Sequence, residues 1–223
     1  MKSVVLISGG MDSLVTAAIA VSESSETYFL HVNYGQKTSK RELESFERIC
    51  EFYRPQGYKV IELNWFKEIG GSSLTDANMP ILDHGESHGI PFTYVPFRNA
   101  NLLCMAVSWA EVIAAERVYI GAVEEDSSGY PDCRKVFFKA FDKAIESGTA
   151  TSTVICIHTP VIDMNKAEIV SKGMELGVPF EFSWSCYKND DIACGKCDSC
   201  QLRLKAFRRA NAIDPIQYYV KEV

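Results

Sequence analysis

Four apolar residues, Val4-Val5-Leu6-Ile7, pass directly into Ser8-Gly9-Gly10-Met11-Asp12-Ser13, and this junction restricts the possible folds more than any other segment. The apolar run reads as a buried strand. The paired glycines allow backbone conformations closed to other residues and let the chain approach a ligand closely. A helix starting near Asp12-Ser13 aims unpaired amides, worth about half a positive charge, at whatever sits above the bend. The junction therefore predicts an anion site, and phosphate suits it.

The phosphate loop common to many nucleotide-binding proteins follows its glycines with a lysine. Here no lysine follows Gly10 until Lys37, and Asp12 occupies the region instead. A lone carboxylate repels phosphate, so Asp12 is expected either to cap backbone N–H groups or to help hold magnesium.

Further apolar runs at 28–32, 59–63, 118–120 and 154–157 read as strands. They alternate with amphipathic stretches at 13–23, 39–54, 100–115, 134–147 and 166–176 that read as helices. This alternation predicts an α/β fold: an open parallel sheet with helices on both faces, joined by right-handed crossovers, with its ligand at the carboxyl ends of the strands. Between 69 and 96 the periodicity fails, which predicts a long loop, a lid or a partly disordered segment. His84 and His88 in that loop are expected to be solvated.

With 223 residues and 47% hydrophobic side chains, the chain can build one substantial core plus a small appendage. The expected division is an α/β domain at 1–178 and a C-terminal segment at 179–223 packed on the same core. No apolar run approaches the roughly 20 residues that span a bilayer, and the N-terminal run reads as a strand and not as a signal peptide. The expected location is cytoplasmic, with no membrane partner. A net charge of −6 argues against broad electrostatic binding of nucleic acid.

Four of the eight cysteines, Cys186, Cys194, Cys197 and Cys200, fall in the spacing C-x7-C-x2-C-x2-C. Thiolates this close suit tetrahedral zinc. An iron–sulfur cluster is the rival, although the bacterial ferredoxin run places its fourth cysteine before a proline, and here Gln201 follows Cys200. Four protein ligands leave no open position for water, so the expected metal is structural. Cys50, Cys104 and Cys156 read as buried small hydrophobes; Cys133 stays open because its neighbours look functional.

The run from Ile7 to Ala17, comprising Ile7, Ser8, Gly9, Gly10, Met11, Asp12, Ser13, Leu14, Val15, Thr16 and Ala17, resembles the loop and following helix of the PP-loop ATP pyrophosphatases, a Rossmann-like fold. That resemblance implies ATP bound along these residues and cleaved between the α- and β-phosphates. Tyr34-Gly35-Gln36, Val95-Pro96-Phe97-Arg98-Asn99, Gly121 to Asp126, Tyr130 to Arg134, Thr159-Pro160 with Lys166, and Ser185-Cys186-Tyr187 extend the likeness over nearly the whole chain. In order and spacing these segments resemble the 7-cyano-7-deazaguanine synthase family, ligases of queuosine precursor biosynthesis. The resemblance implies a nitrile made from 7-carboxy-7-deazaguanine, ammonia and two Mg-ATP, through an adenylated acid and then an adenylated amide. Two departures stand out: Lys37-Thr38 where the family usually shows Arg-His, and Phe97 where it usually shows glycine.

Side-chain chemistry then suggests roles. Asp12, Ser13, Arg98 and Lys166 are the expected catalytic groups: Arg98 as a fork for phosphate or carboxylate, Lys166 against charge growing on the α-phosphate. Arg98, Asn99, Glu125, Asp126, Tyr130 and Asp132 are the expected substrate contacts, a carboxylate among them accepting the N1–H and 2-amino hydrogens of a guanine-like ring. Helices with exposed apolar faces suggest a homodimer. Two other readings share the loop, a tRNA-base adenylase and a non-catalytic nucleotide sensor.

Overall fold

The computed structural model describes residues 1–85, 90–124, 129–150, 152 and 154–220. β1 (Lys2–Leu6) leads through the glycine bend into α1 (Met11–Glu23), β2 (Glu26–Asn33), α2 (Ser39–Tyr53) and β3 (Gly57–Glu62). A short α3 (Trp65–Ile69) and the long loop precede α4 (Arg98–Ile113) and β4 (Arg117–Ile120). Next come α5 (Lys135–Gly148), β5 (Cys156–His158), α6 (Lys166–Glu175) and α7 (Asp198–Arg209). The strands form one sheet in the order β3-β2-β1-β4-β5, parallel throughout.

β1 is central, with Val4 paired to Tyr28 on one side and to Val118 on the other. Its alternate residues serve opposite cores. Val5 and Ile7 pack with Leu14, Val15, Phe29, Phe46, Tyr119 and Ile169, whereas Val4 and Leu6 pack with Leu30, Leu103, Ala106, Val118 and Phe138. This two-sided burial is why the run lacks polar alternation. The chain winds outward from β1 to β3, then crosses back through α4 to β4, so neighbouring crossovers diverge between β1 and β4. That divergence opens a crevice at the strand carboxyl ends.

Residues beyond 179 join the first of these cores through Phe180, Ala206 and Phe207. Arg203 on α7 is 1% exposed and is held by Asp214 at 2.8 and 3.0 Å, the Ser183 hydroxyl at 2.7 Å and the Phe180 carbonyl at 3.2 Å. A buried guanidinium is tolerable only with such complete pairing. The sequence reading assigned no helix to α7 or α3.

The long loop is tied down along its described length. Ser73 N–H donates to the Phe92 carbonyl, His84 N–H to the Lys196 carbonyl at 2.9 Å, and Lys188 reaches Asp83 at 2.5 Å. His84 corrects the expectation of a purely solvated side chain, because its Nδ1 lies 2.7 Å from Asp198 while the ring stays half exposed. His88 lies outside the described residues. Cys50 is buried, but Cys104 and Cys156 are exposed, Cys104 on the solvent side of α4 and Cys156 at the start of the edge strand β5. No described helix is long and apolar enough to cross a membrane.

Candidate active site

The crevice holds a cavity of about 250 Å³. Its floor is the end of β1 with Ser8, Gly10, Met11, Asp12 and Ser13, facing Ile120 to Val123 after β4. Gly10 starts α1 with no side-chain cap, so the first-turn amides stay open towards the cavity. The two serines shape the bend: Gly10 N–H donates to Ser8 Oγ at 3.3 Å, and Ser13 Oγ donates to the Gly10 carbonyl at 2.9 Å.

Both sides of this bend are crowded. Gly9 sits at φ +87°, and a Cβ there would lie 2.7 Å from the Glu42 carbonyl oxygen. Across the crevice, a Cβ on Gly121 would lie 2.8 Å from the carbonyl carbon and oxygen of Asp12 and from Ser13 N. Helix start and strand end thus touch backbone to backbone, which only glycine permits. Gly121→Ala is expected to cost about 1–3 kcal/mol by overpacking and to displace the first turn of α1. Denaturant midpoints with and without nucleotide check this, and an unchanged midpoint with full protection by ATP would contradict it.

Lys166 opens α6 and pairs with Asp12 Oδ2. A lysine at a helix N-terminus opposes the helix dipole, so its placement answers to the cavity and not to helix stability. Asn165 and Glu168 form a reciprocal cap that stabilises this turn independently. The other carboxylate oxygen, Asp12 Oδ1, is buried without a hydrogen-bond partner. An orphaned anionic oxygen beside open amides is the donor that a magnesium ion on phosphate needs.

Arg98 enters from the start of α4. Its guanidinium donates to Tyr34 Oη at 3.2 Å and to Asn99 Oδ1 at 3.3 Å, and lies 5.3 Å from the centre of the Tyr34 ring. Burial works against its charge, but Tyr34, Cys133, Tyr130 and Asp132 around it hold it protonated. The preceding residue, Phe97, has φ +56°. That left-handed turn into α4 accounts for the glycine usual at this place. Tyr130 also lines the cavity, with its hydroxyl 2.7 Å from Thr93 Oγ1.

The structure separates the residues expected at the site. Leu14, Val15 and Ala17 are wholly buried in the core with Phe29, and Thr16 is equally enclosed, whereas Ile7, Ser8, Gly10, Met11, Asp12 and Ser13 line the cavity. Asp132 is 3% exposed; its Oδ2 accepts the Asn99 N–H at 2.9 Å, and Asn99 Nδ2 donates to the Asp132 carbonyl. Asp132 and Asn99 thus fasten the start of α4 and orient Arg98, with one oxygen of the Asp132 carboxylate engaged in that contact. Glu125 and Asp126 lie outside the described residues.

Sequence reasoning passed over Glu42 and Trp184, which line the cavity together with Tyr34, Cys133, Ser185 and Tyr187 from the segments singled out above. Cys133 is a buried thiol, pushed up to about 11 by burial against the pull of Arg98, and accepts from Asn99 Nδ2. The Trp184 backbone N–H donates to the Gly9 carbonyl at 2.8 Å, fixing the C-terminal segment onto the bend.

Cys186, Cys194, Cys197 and Cys200 present Sγ atoms within 4.8 Å of one another. The Cys194–Cys200 pair is 3.9 Å apart, against about 3.8 Å for two corners of a tetrahedron with bonds of about 2.3 Å. Backbone N–H groups of Lys188, Asn189 and Cys194 donate to Cys186 Sγ at 3.3–3.4 Å, and those of Lys196 and Cys197 to Cys194 Sγ at 3.4 Å. Such amide donors favour thiolates, and the donor set fits a thiophilic cation.

A family model described as queuosine biosynthesis protein QueC matches residues 2–211. A 7-cyano-7-deazaguanine synthase from Chlorobium chlorochromatii (strain CaD3) is 60% identical over 219 residues, covering 98% of this chain and 96% of its own length. Another, from Chloroherpeton thalassium (strain ATCC 35110 / GB-78), is 58% identical over 222 residues, covering 99% and 98%. Among solved structures, the U34-tRNA thiolase NcsA from Methanococcus maripaludis with its 4Fe–4S cluster matches at TM-score 0.52 and 14% identity, over 95% of this chain and 64% of that one. A 4-thiouridine synthetase–RNA complex with bound ATP matches at TM-score 0.54 and 18% identity, over 94% and 50%. At those identities the likeness is one of fold.

Proposed function

The chain belongs to the QueC family of queuosine biosynthesis proteins, and from that premise we propose how its residues divide the synthesis of 7-cyano-7-deazaguanine, the activity named for its curated relatives. It is a ligase. The observation that carries the reading is the lysine-free bend, whose open amides, orphaned Asp12 oxygen and Lys166 converge at one end of the cavity.

In this assignment Ser8, Gly10 and the first turn of α1 grip the β- and γ-phosphates of ATP. The α-phosphorus faces the cavity, where the substrate carboxylate attacks it. Lys166 stabilises the charge that grows there, and Arg98 orients the carboxylate with its planar fork. Tyr130 and Tyr34 offer ring faces to a deazaguanine. Ammonia displaces AMP to give the amide, and a second adenylation of the amide oxygen lets the nitrile form. Adenylation replaces a poor oxygen leaving group with AMP, and enclosure keeps water from the intermediate.

Asp12 would hold magnesium beside the bend, and the ion would supply charge neutralisation to the phosphates. Cys186, Cys194, Cys197 and Cys200 would hold zinc, which would staple the cavity wall and leave the chemistry to the other residues. The reading takes small-molecule substrates in preference to nucleic acid, consistent with the net charge of −6, and places the enzyme in the cytoplasm as a homodimer using free ammonium.

Incubation with 7-carboxy-7-deazaguanine, ammonium and Mg-ATP should yield the nitrile with AMP and pyrophosphate. Formation of ADP, or transfer of the terminal phosphoryl group, would overturn it.

A further inference from the structure

Glu42, in the first turn of α2, takes no part in the assignment above, yet it lines the cavity. Its Oε1 accepts from the Thr38 hydroxyl at 2.8 Å and its Oε2 from Gln36 Nε2 at 2.9 Å, while Gln36 is itself fixed by the Tyr34 N–H. Each carboxylate oxygen keeps a lone pair beyond these bonds. Among the described residues Glu42 makes no ion pair, so these two neutral donors hold it in one rotamer without neutralising it. Its backbone carbonyl packs against Gly9, which places the side chain beside the phosphate bend.

We propose that Glu42 is the group that captures ammonium in the cavity and removes its proton, so that ammonia can attack the adenylated substrate. This rests on the adenylation chemistry assigned above. Ammonium has no lone pair to attack with, and at neutral pH it is the dominant form. Glu42 takes one proton from it, and the freed lone pair forms the C–N bond at the acyl carbon. The bond from that carbon to the AMP oxygen breaks, its electron pair leaving on the AMP phosphate, which takes the surplus proton of the adduct nitrogen.

The electrostatics suit this task. Burial pushes the Glu42 carboxyl up to about 7, against the hydrogen bonds from Thr38 and Gln36. The groups facing it are Arg98 from α4, which favours its charge, and Asp190 from the metal-binding segment, which opposes it, with the buried Tyr34 hydroxyl alongside. A base titrating near the working pH is the most effective kind, and such a group contributes roughly 10²–10⁴-fold.

The sign of the pH dependence follows. Ammonium-dependent turnover should be level above about pH 7 and fall as the pH drops and Glu42 takes up its proton. In Glu42→Gln, turnover should instead track free ammonia, rising about tenfold per pH unit through neutrality, and be lower by about 10²-fold at pH 7. Hydroxylamine, neutral at pH 7, needs no base, so trapping of the adenylate as hydroxamate should persist in the variant. Acid-dependent exchange of pyrophosphate into ATP should persist too.

An unchanged ammonium pH profile in the variant, or parallel loss of exchange and ammonium turnover, would overturn the role. If the variant does not fold, the wild-type protein decides: its ratio of amide to hydroxamate must fall below pH 7, and a flat ratio refutes the assignment. Absence of acid-dependent exchange in the wild-type protein would instead remove the adenylation reading itself.

Discussion

Cys197→Ser is expected to release the metal and to take soluble folded protein with it. Cys197 is wholly buried, in a cluster with Trp184, Cys186, Ala193, Cys200 and Ile216, and the cavity wall of Trp184, Ser185 and Tyr187 surrounds the first ligand, Cys186. Structural zinc contributes about 10–16 kcal/mol in small peptides, as much as the roughly 5–15 kcal/mol that holds a whole domain. With one ligand gone, the remaining buried thiols lose the cation that makes their ionisation tolerable. The measurement is metal content by mass spectrometry beside the thermal midpoint and ATP binding. Because Trp184 holds the Gly9 carbonyl, nucleotide affinity should fall together with metal content. A metal-free, stable and fully active protein would refute the structural role.

Lys166→Met should leave nucleotide bound and turnover lost. Its ammonium sits on Asp12 at the mouth of the bend, with only 17% of the side chain exposed, and removing one such charge from a growing oxyanion costs about 10²–10³-fold in kcat, or roughly 3–4 kcal/mol. α6 should survive, because Asn165 and Glu168 cap it without the lysine. Lys166→Arg should recover part of the rate at best, since the guanidinium is broader and more weakly hydrated than the ammonium. Single-turnover formation of pyrophosphate separates chemistry from binding. A rise in the KM for ATP with kcat unchanged would mean that Lys166 contributes equally to ground state and transition state, against the role assigned here.

How much of this was legible in the chain depended on whether the cause was local. The β1–bend–α1 junction is local, and the structure places it within two residues of the sequence reading, because strand burial and glycine geometry are properties of neighbouring residues. The cysteine spacing is local in the same sense. The order of the strands is not, since a crossover from β3 back to β4 leaves no mark in periodicity. Helix α4 begins at Arg98, ahead of the expected 100, because a carboxylate 33 residues further along the chain, Asp132, caps its first turn. That Asp132 also serves this helix start is a tertiary fact with no mark in its neighbours.

Glu42 was hidden for the complementary reason. In Ser39-Lys40-Arg41-Glu42-Leu43-Glu44 it is one charge among several on an amphipathic helix, and only the packing of α2 against the glycine bend turns it inward. Cys133 could be suspected from its neighbours, but its seat beside Arg98 and Asn99 is tertiary. Arg203 carried no signal in the sequence, because its enclosure by Asp214 and Ser183 is tertiary.

That enclosure has a bearing on how much of the chain the site needs. The amides assigned to phosphate belong to the first thirteen residues, yet Asp214, which pins Arg203 and so steadies the stretch from Phe180 to Ser185, lies about two hundred positions later. A chain cut before Asp214 is therefore expected to keep the glycine bend of the assigned phosphate grip and to lose the brace on the wall beside it.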